Sequence, residues 1–188
     1  MDPIILASNS PRRKQILEWA EIEFEVRVSN ADETYPADLP TDEVPIYIAR
    51  NKAMAVKKGP GPDRLILAAD TIVVLDGEII GKPLHQKEAI GILERLSGKK
   101  HLVITGVVMM KDTKEICFSD TTEVEFHELT SLQIEFYVDK YKPYDKAGAY
   151  AIQEWIGVIG IKNIHGDFYN VMGLPVSRVV KELKAWRD

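Results

Sequence analysis

The sequence predicts a mixed α/β fold, α/β or α+β, in which helices flank a twisted mixed sheet. Three observations predict it. Apolar strand-like runs, Ile4-Ile5-Leu6 first among them, alternate with segments of helical spacing. Asp76-Gly77 and Asp112-Thr113 mark tight turns between strand-like segments, which adds hairpins to the crossovers. The chain has 188 residues, of which 45% are hydrophobic, enough for one domain or two closely packed lobes with a sizeable core.

The elements follow in order. Residues 4–8 read as a strand, and Ser10-Pro11 opens a helix over 11–20, with Ser10 as N-cap, Pro11 at the first helical position, and Ile16, Leu17 and Ala20 inward. Phe24, Val26 and Val28 alternate with Glu25 and Arg27, a second strand. Residues 30–42 carry Asp32, Glu33, Pro36, Asp38 and Pro40 and read as an acidic loop. Residues 44–58 have helical spacing, with Ile48, Ala49, Ala53 and Val56 toward a core, and Gly59-Pro60-Gly61-Pro62 stops the helix. Residues 65–75 form an apolar strand broken only by Asp70 and Thr71, and 78–80 return as its hairpin partner. A helix over 86–96 ends at Ser97-Gly98. Long strands cover 101–110 and 115–126, a helix capped by Thr130 or Ser131 covers 130–138, a strand covers 157–164, and an amphipathic helix covers 175–186.

Composition narrows the function. A formal net charge of −5 speaks against sequence-independent nucleic-acid binding. The lone cysteine, Cys117, rules out an intrachain disulfide; set between Ile116 and Phe118, it reads as a passive small hydrophobe. No signal-like leader and no membrane-spanning apolar run is legible, so a soluble, reducing, cytoplasmic setting is expected. Phosphate-loop, dinucleotide and nucleophile-elbow motifs are absent, and His85, His101, His127 and His165 lack zinc-ligand spacing.

The remaining chemistry points to phosphate. A helix starting at Pro11 presents backbone N–H groups and a positive dipole end, and Arg12 and Arg13 add two cationic forks there. Asp70 is a carboxylate in an apolar strand, costly unless paired, hydrogen-bonded or metal-bound; it suits either a Mg²⁺ ligand or a proton acceptor for water. Glu33 is its natural second carboxylate, although spacing alone does not separate it from Asp32. Lys52, Lys82 in Gly81-Lys82-Pro83 and Lys146 in Asp145-Lys146-Ala147-Gly148 are candidate phosphate contacts, the last two beside small residues that let a ligand approach.

Nine segments together resemble the Maf family of nucleoside triphosphate pyrophosphatases. They are Ser8-Asn9-Ser10-Pro11-Arg12-Arg13, Asp32-Glu33, Asn51-Lys52-Ala53, Ala69-Asp70-Thr71-Ile72-Val73, Gly81-Lys82-Pro83, Leu96-Ser97-Gly98, Thr105-Gly106-Val107, the stretch from Asp145 through Gln153, and Asn170-Val171-Met172-Gly173-Leu174-Pro175. The resemblance implies a single domain over 1–188, elongated and related to the inosine triphosphate pyrophosphatases, with a central cleft between two lobes. It implies hydrolysis of a nucleoside triphosphate to the monophosphate and pyrophosphate with Mg²⁺ or Mn²⁺. Asp70 falls on the general base, with Glu33 and Asp70 as metal ligands and Lys52 and Lys82 as catalytic cations. Ser8, Ser10, Arg12, Arg13, Thr71, Lys146 and Gln153 fall on substrate-binding positions, and the trio Arg12, Thr71, Gln153 resembles the dTTP/UTP branch rather than the 7-methyl-GTP branch. The chain departs from the family at Glu154-Trp155-Ile156, where a glycine-rich turn is usual, and at Gly166-Asp167-Phe168-Tyr169. The net charge and the lack of a membrane-spanning run argue against nucleic-acid and membrane partners, and the resemblance allows a homodimer. The alternative role it suggests is a nucleotide-binding regulator of septum formation with little turnover.

Overall fold

The computed structural model describes residues 2–28, 31–59 and 64–186. Among them lie seven strands and seven α-helices: β1 (Ile4–Leu6), α1 (Pro11–Trp19), β2 (Phe24–Val26), α2 (Val44–Lys57), β3 (Ile66–Leu75), β4 (Glu78–Ile80), α3 (Gln86–Leu96), β5 (Lys100–Lys111), β6 (Lys114–Phe126), α4 (Ser131–Tyr141), α5 (Trp155–Gly160), β7 (Ile161–His165), α6 (Phe168–Met172) and α7 (Val176–Lys184). The strands form one mixed sheet in the order β2-β1-β3-β5-β6-β7, with β4 paired to β3. The chain divides into two compact units, one of residues 1–70, 105–120 and 173–188, the other of 71–104 and 121–172.

The first unit holds the parallel part of the sheet. β1 pairs in parallel with β2, Ile4 opposite Phe24, and with β3, Ile5 opposite Ile66. Crossovers through α1 and α2 make that direction possible. Ile5, Ala7, Ile66, Ala68, Val108 and Met110 form one face of the strands, and Ala49, Ala53 and Val56 of α2 cover it. Alanines on both sides bring helix and sheet close. Gly106 fixes how close: a Cβ there would lie 2.2 Å from the Ile46 backbone nitrogen and 2.3 Å from the Pro45 carbonyl carbon. The obstacle is backbone at the start of α2, which cannot swing aside.

The second unit holds antiparallel pairs. Val73 faces Ile80 across the Asp76-Gly77 turn, and Val124 faces Ile164 between β6 and β7. Asn170, fully buried, donates to the Val103 carbonyl at 3.1 Å and to Thr122 Oγ1 at 3.0 Å. His101, Phe126 and Tyr150 form a buried aromatic cluster, with His101 Nε2 and the Tyr150 hydroxyl sharing a hydrogen bond of 2.7 Å. Burial pushes the Tyr150 hydroxyl up and brings the His101 ring down to about 4.

The order of elements follows the sequence expectation with one substantive correction. The stretch 157–164 is not one strand. Residues 155–160 form α5, and the strand begins at Ile161. Glu154 turns the chain, its carbonyl accepting from the N–H groups of Gly157 at 2.9 Å and Val158 at 3.3 Å. Packing of Ile156 and Gly160 overrides the strand preference of Val and Ile. The short α6 carries no periodicity long enough to read. Thr130 caps α4 through a capping box with Gln133, whereas Ser10 occupies the N-cap position of α1 without a side-chain capping bond. Cys117 is exposed rather than packed, with Arg50 donating to its sulfur at 3.4 Å. Of the Gly-Pro stop after α2, Pro60, Gly61 and Pro62 lie outside the described residues. Among the described residues no helix is long and apolar enough to cross a membrane.

Two outcomes follow from this packing. Gly106→Ala forces α2 off the sheet and lowers unfolding free energy by about 1–3 kcal/mol, measured by urea denaturation. His101 in the folded protein takes up no proton until about pH 4, whereas an imidazole in the unfolded chain does so near 6.5. The unfolded state therefore binds more protons as pH falls below about 6.5, and stability drops by up to about 1.4 kcal/mol per pH unit. The urea midpoint falls between pH 7 and pH 5, and His101→Gln, which cannot titrate, flattens that dependence.

Candidate active site

Strand periodicity decides where Asp70 points. Ile66 and Ala68 face α2, so Asp70, two residues further along β3, shares that face. On α2, Ala49, Ala53 and Val56 face the sheet, and Lys52 lies between them on the helix surface, one turn from both Ala49 and Val56. The two periodicities bring an ammonium to a carboxylate. Lys52 Nζ lies 2.7 Å from Asp70 Oδ1, with side-chain exposures of 13% and 12%. The same nitrogen lies 2.8 Å from Glu33 Oε1, which reaches in from the loop at 31–43. One lysine thus joins two carboxylates, one sheltered and one half exposed.

The geometry separates Asp32 from Glu33, which spacing left open. Asp32 turns back on its own loop: its Oδ1 accepts from the Thr34 N–H at 2.9 Å and its Oδ2 from the Thr34 hydroxyl at 2.8 Å. Those bonds hold its carboxyl below the usual range. Glu33 is the side chain that meets Lys52.

Arg13 feels the charges of this cluster. It is buried, its Nε donating to the Gly173 carbonyl at 2.8 Å and one terminal nitrogen donating to Ser8 Oγ at 3.1 Å. Ser8 Oγ also accepts the Ser10 N–H at 3.2 Å, which shapes the turn into α1. Burial pushes the Arg13 pKa down and the Asp70 carboxylate pushes it back up; Arg12 adds a downward push and Glu33 an upward one. Those four charged groups therefore share one electrostatic neighbourhood. The first unit gathers Ser8, Ser10, Arg12, Arg13, Glu33, Lys52 and Asp70. Sequence reasoning read Arg13 as a phosphate fork and missed that it anchors the chain at Gly173. No local signal could have found it, since the acceptor lies 160 residues away.

The second unit carries Thr71, Lys82, Lys146 and Gln153. The Gly148 N–H donates to the Gly81 carbonyl at 3.3 Å, so the turn bearing Lys82 is tied to the loop bearing Lys146. Lys146 is buried, its Nζ 2.7 Å from Asp145 Oδ1 and 3.8 Å from Glu154 Oε1. Gln153 stands exposed between buried Ile152 and half-buried Glu154.

The donor set fits a hard divalent cation. Glu33 and Asp70 supply oxygens from a loop and a strand, and Mg²⁺ typically takes one or two carboxylates while substrate oxygens and water complete its shell. Among the described residues no group of three or more His, Cys, Asp and Glu side chains gathers. Arg13 and Lys52 place positive charge near the same carboxylates, an arrangement suited to a polyanion accompanied by a metal.

Comparison with known proteins gives the family. The family model described as Maf-like protein matches residues 3–186. A dTTP/UTP pyrophosphatase of Cytophaga hutchinsonii is 52% identical over 181 residues, covering 96% of this chain and 83% of that one. One of Parabacteroides distasonis is 52% identical over 182 residues, covering 96% and 94%. One of Porphyromonas gingivalis is 47% identical over 184 residues, covering 96% and 92%. Among solved structures, the Staphylococcus aureus Ham1 protein aligns with a TM-score of 0.44 and 15% identity, over 66% of this chain and 72% of that one. With the family model spanning nearly the whole chain and relatives near half identity along it, the chain belongs to the Maf-like protein family.

Proposed function

We propose that this chain is a nucleoside triphosphate pyrophosphatase that hydrolyses dTTP and UTP to the monophosphate and pyrophosphate, the whole chain working as one catalytic domain. The observation that carries the reading is the sheltered Asp70 carboxylate, held 2.7 Å from Lys52 at the edge of an arginine-bearing turn. A binding module has no need for a carboxylate in an apolar strand. Relatives at 52% identity that are dTTP/UTP pyrophosphatases support the same reaction and the same bases.

The reaction adds water across the phosphoanhydride between the α and β phosphates, and most of the catalysis is positioning and charge neutralisation. Asp70 orients the attacking water and accepts its proton. Lys52 compensates the carboxylate charge before the substrate arrives and turns to phosphate oxygens afterwards. Arg12 and Arg13, with the N–H groups at the start of α1, hold the triphosphate, and Ser8 and Ser10 shape that turn. Lys82 and Lys146 add cationic contacts to the phosphates. Glu33 and Asp70 would hold Mg²⁺ or Mn²⁺, which when bound supplies Lewis-acid stabilisation of charge on phosphate oxygens. Thr71 and Gln153 contact the nucleoside. The uracil and thymine edge presents a carbonyl acceptor beside a ring N–H donor, and a primary amide held in one orientation matches that pair; cytosine presents the opposite pattern, which pairs only with the flipped amide. The net charge of −5 supports a free nucleotide, in the cytoplasmic pool, rather than a nucleic acid as the substrate.

Pyrophosphate release from UTP, dTTP, CTP, dATP, GTP and 7-methyl-GTP, each with and without Mg²⁺ or Mn²⁺, tests the reading. Metal-dependent release from UTP and dTTP, with the monophosphate as co-product, is expected. Turnover of a purine or of 7-methyl-GTP instead keeps the reaction and overturns the base preference. No release from any of them overturns the enzyme and leaves a nucleotide-binding role.

A further inference from the structure

The loop that carries Gln153 is pinned by one buried hydroxyl. Tyr137, on the inner face of α4, has 0% exposure. Its hydroxyl accepts the Ala151 N–H at 3.1 Å and donates to Glu154 Oε2. One oxygen therefore ties residues 151 and 154, and the only residues between them are Ile152 and Gln153. Ile152 is buried and Glu154 partly buried, so Gln153 is the most exposed side chain of this turn.

The turn is fixed from other directions as well. The Glu154 N–H donates to the Ala151 carbonyl at 3.0 Å, and the Gly157 N–H donates to the Glu154 carbonyl at 2.9 Å. At Gly157 a Cβ would lie 1.7 Å from the Ile152 carbonyl oxygen, so the first turn of α5 closes directly on the Gln153 loop. Glu154 has a second partner in Lys146, 3.8 Å from its other carboxylate oxygen. Tyr137 is itself steadied by stacking on Tyr141, with ring centroids 4.9 Å apart and planes at 25°. Nothing in these contacts is generic core filling. A phenylalanine would fill the same volume and lose both bonds.

We propose that Tyr137 and Glu154 are positioning residues for base selection: together they hold the 151–154 turn so that the Gln153 amide meets the pyrimidine edge at a fixed height and angle. The proposal rests on the reading of Gln153 as the base-contacting side chain. A side-chain amide on an unpinned loop rotates and shifts to suit either pyrimidine, and discrimination is lost because cytosine no longer leaves it mispaired. Preorganisation of the loop, rather than the amide alone, makes the preference for uracil and thymine.

The test is the ratio of kcat/KM for UTP to that for CTP, with KM and kcat measured separately, in Tyr137→Phe, Glu154→Ala, Glu154→Gln and Gln153→Leu. Tyr137→Phe and Glu154→Ala should each narrow the ratio about fivefold or more and raise KM for UTP roughly tenfold, with kcat changed less than about threefold. Glu154→Gln keeps an acceptor for the hydroxyl and should stay within about twofold of the parent in that ratio. A purely structural role lowers the yield of active enzyme without moving the ratio, since the folded fraction cancels from it. If Gln153→Leu loses the preference while folded Tyr137→Phe and Glu154→Ala keep it, the positioning role is overturned and the base reading stands. If Gln153→Leu keeps the preference, the base reading falls and the positioning role falls with it. Should Tyr137→Phe fail to fold, Glu154→Ala, altered at a half-exposed position, carries the test.

Discussion

An ionised carboxylate inside an apolar β-strand is the constraint on which the first unit of this protein depends. Asp70 sits on the α2-facing side of β3, where Ile66 and Ala68 are core residues. Desolvation of such a group costs several kcal/mol, and removing one partner of a buried ion pair costs about 3–5 kcal/mol. Lys52 supplies the compensating charge, but only if α2 lies close enough to the sheet. The alanines at the interface and the absence of a side chain at Gly106 give that distance. The ion pair is a poor device for stability, because a hydrophobic pair of similar volume would stabilise as well or better. The catalytic role proposed for Asp70 would account for its presence. The pair keeps a carboxylate and a cation largely out of water, near Arg13 and Glu33.

Backbone anchoring by buried polar groups recurs through the chain. Arg13 spends donors on the Gly173 carbonyl and Ser8, which fixes the turn into α1. In the second unit Asn170 anchors to Val103 and Thr122, and Tyr137 bridges Ala151 and Glu154. Each bonds at least one backbone group: Arg13 and Tyr137 hold loops with little regular structure, whereas Asn170 ties α6 to β5 and β6. Loops of this kind would otherwise be the mobile part of the fold. Here they carry the side chains proposed to meet the substrate.

Much of this was legible in the residues, and the limits have physical causes. Asp70 was legible because a charge in an apolar strand contradicts its surroundings, and Lys52 because it lies on the helix after the acidic loop. Which of Asp32 and Glu33 joins them was not, because both sit in a loop without periodicity, and hydrogen bonds to Thr34 decide it. Arg13 was legible as a cation but not as an anchor, since its acceptor lies 160 residues away. Residues 157–164 read as a strand because Val and Ile dominate them. A turn centred on Glu154, and a glycine that lets the helix close on Ile152, start α5 instead. Glu154 stood out only as a departure from a glycine-rich turn; its partner Tyr137 is 17 positions away and invisible to local reading.

The most direct measurement is turnover of dTTP by Asp70→Asn, alongside its urea denaturation curve. The substitution preserves shape and removes the proton-accepting charge, while Glu33 still engages Lys52. A cooperatively folded variant whose kcat falls at least about a hundredfold is the predicted result. A folded variant with near-parental kcat would contradict the account, since the buried ion pair would then serve the fold and not the chemistry.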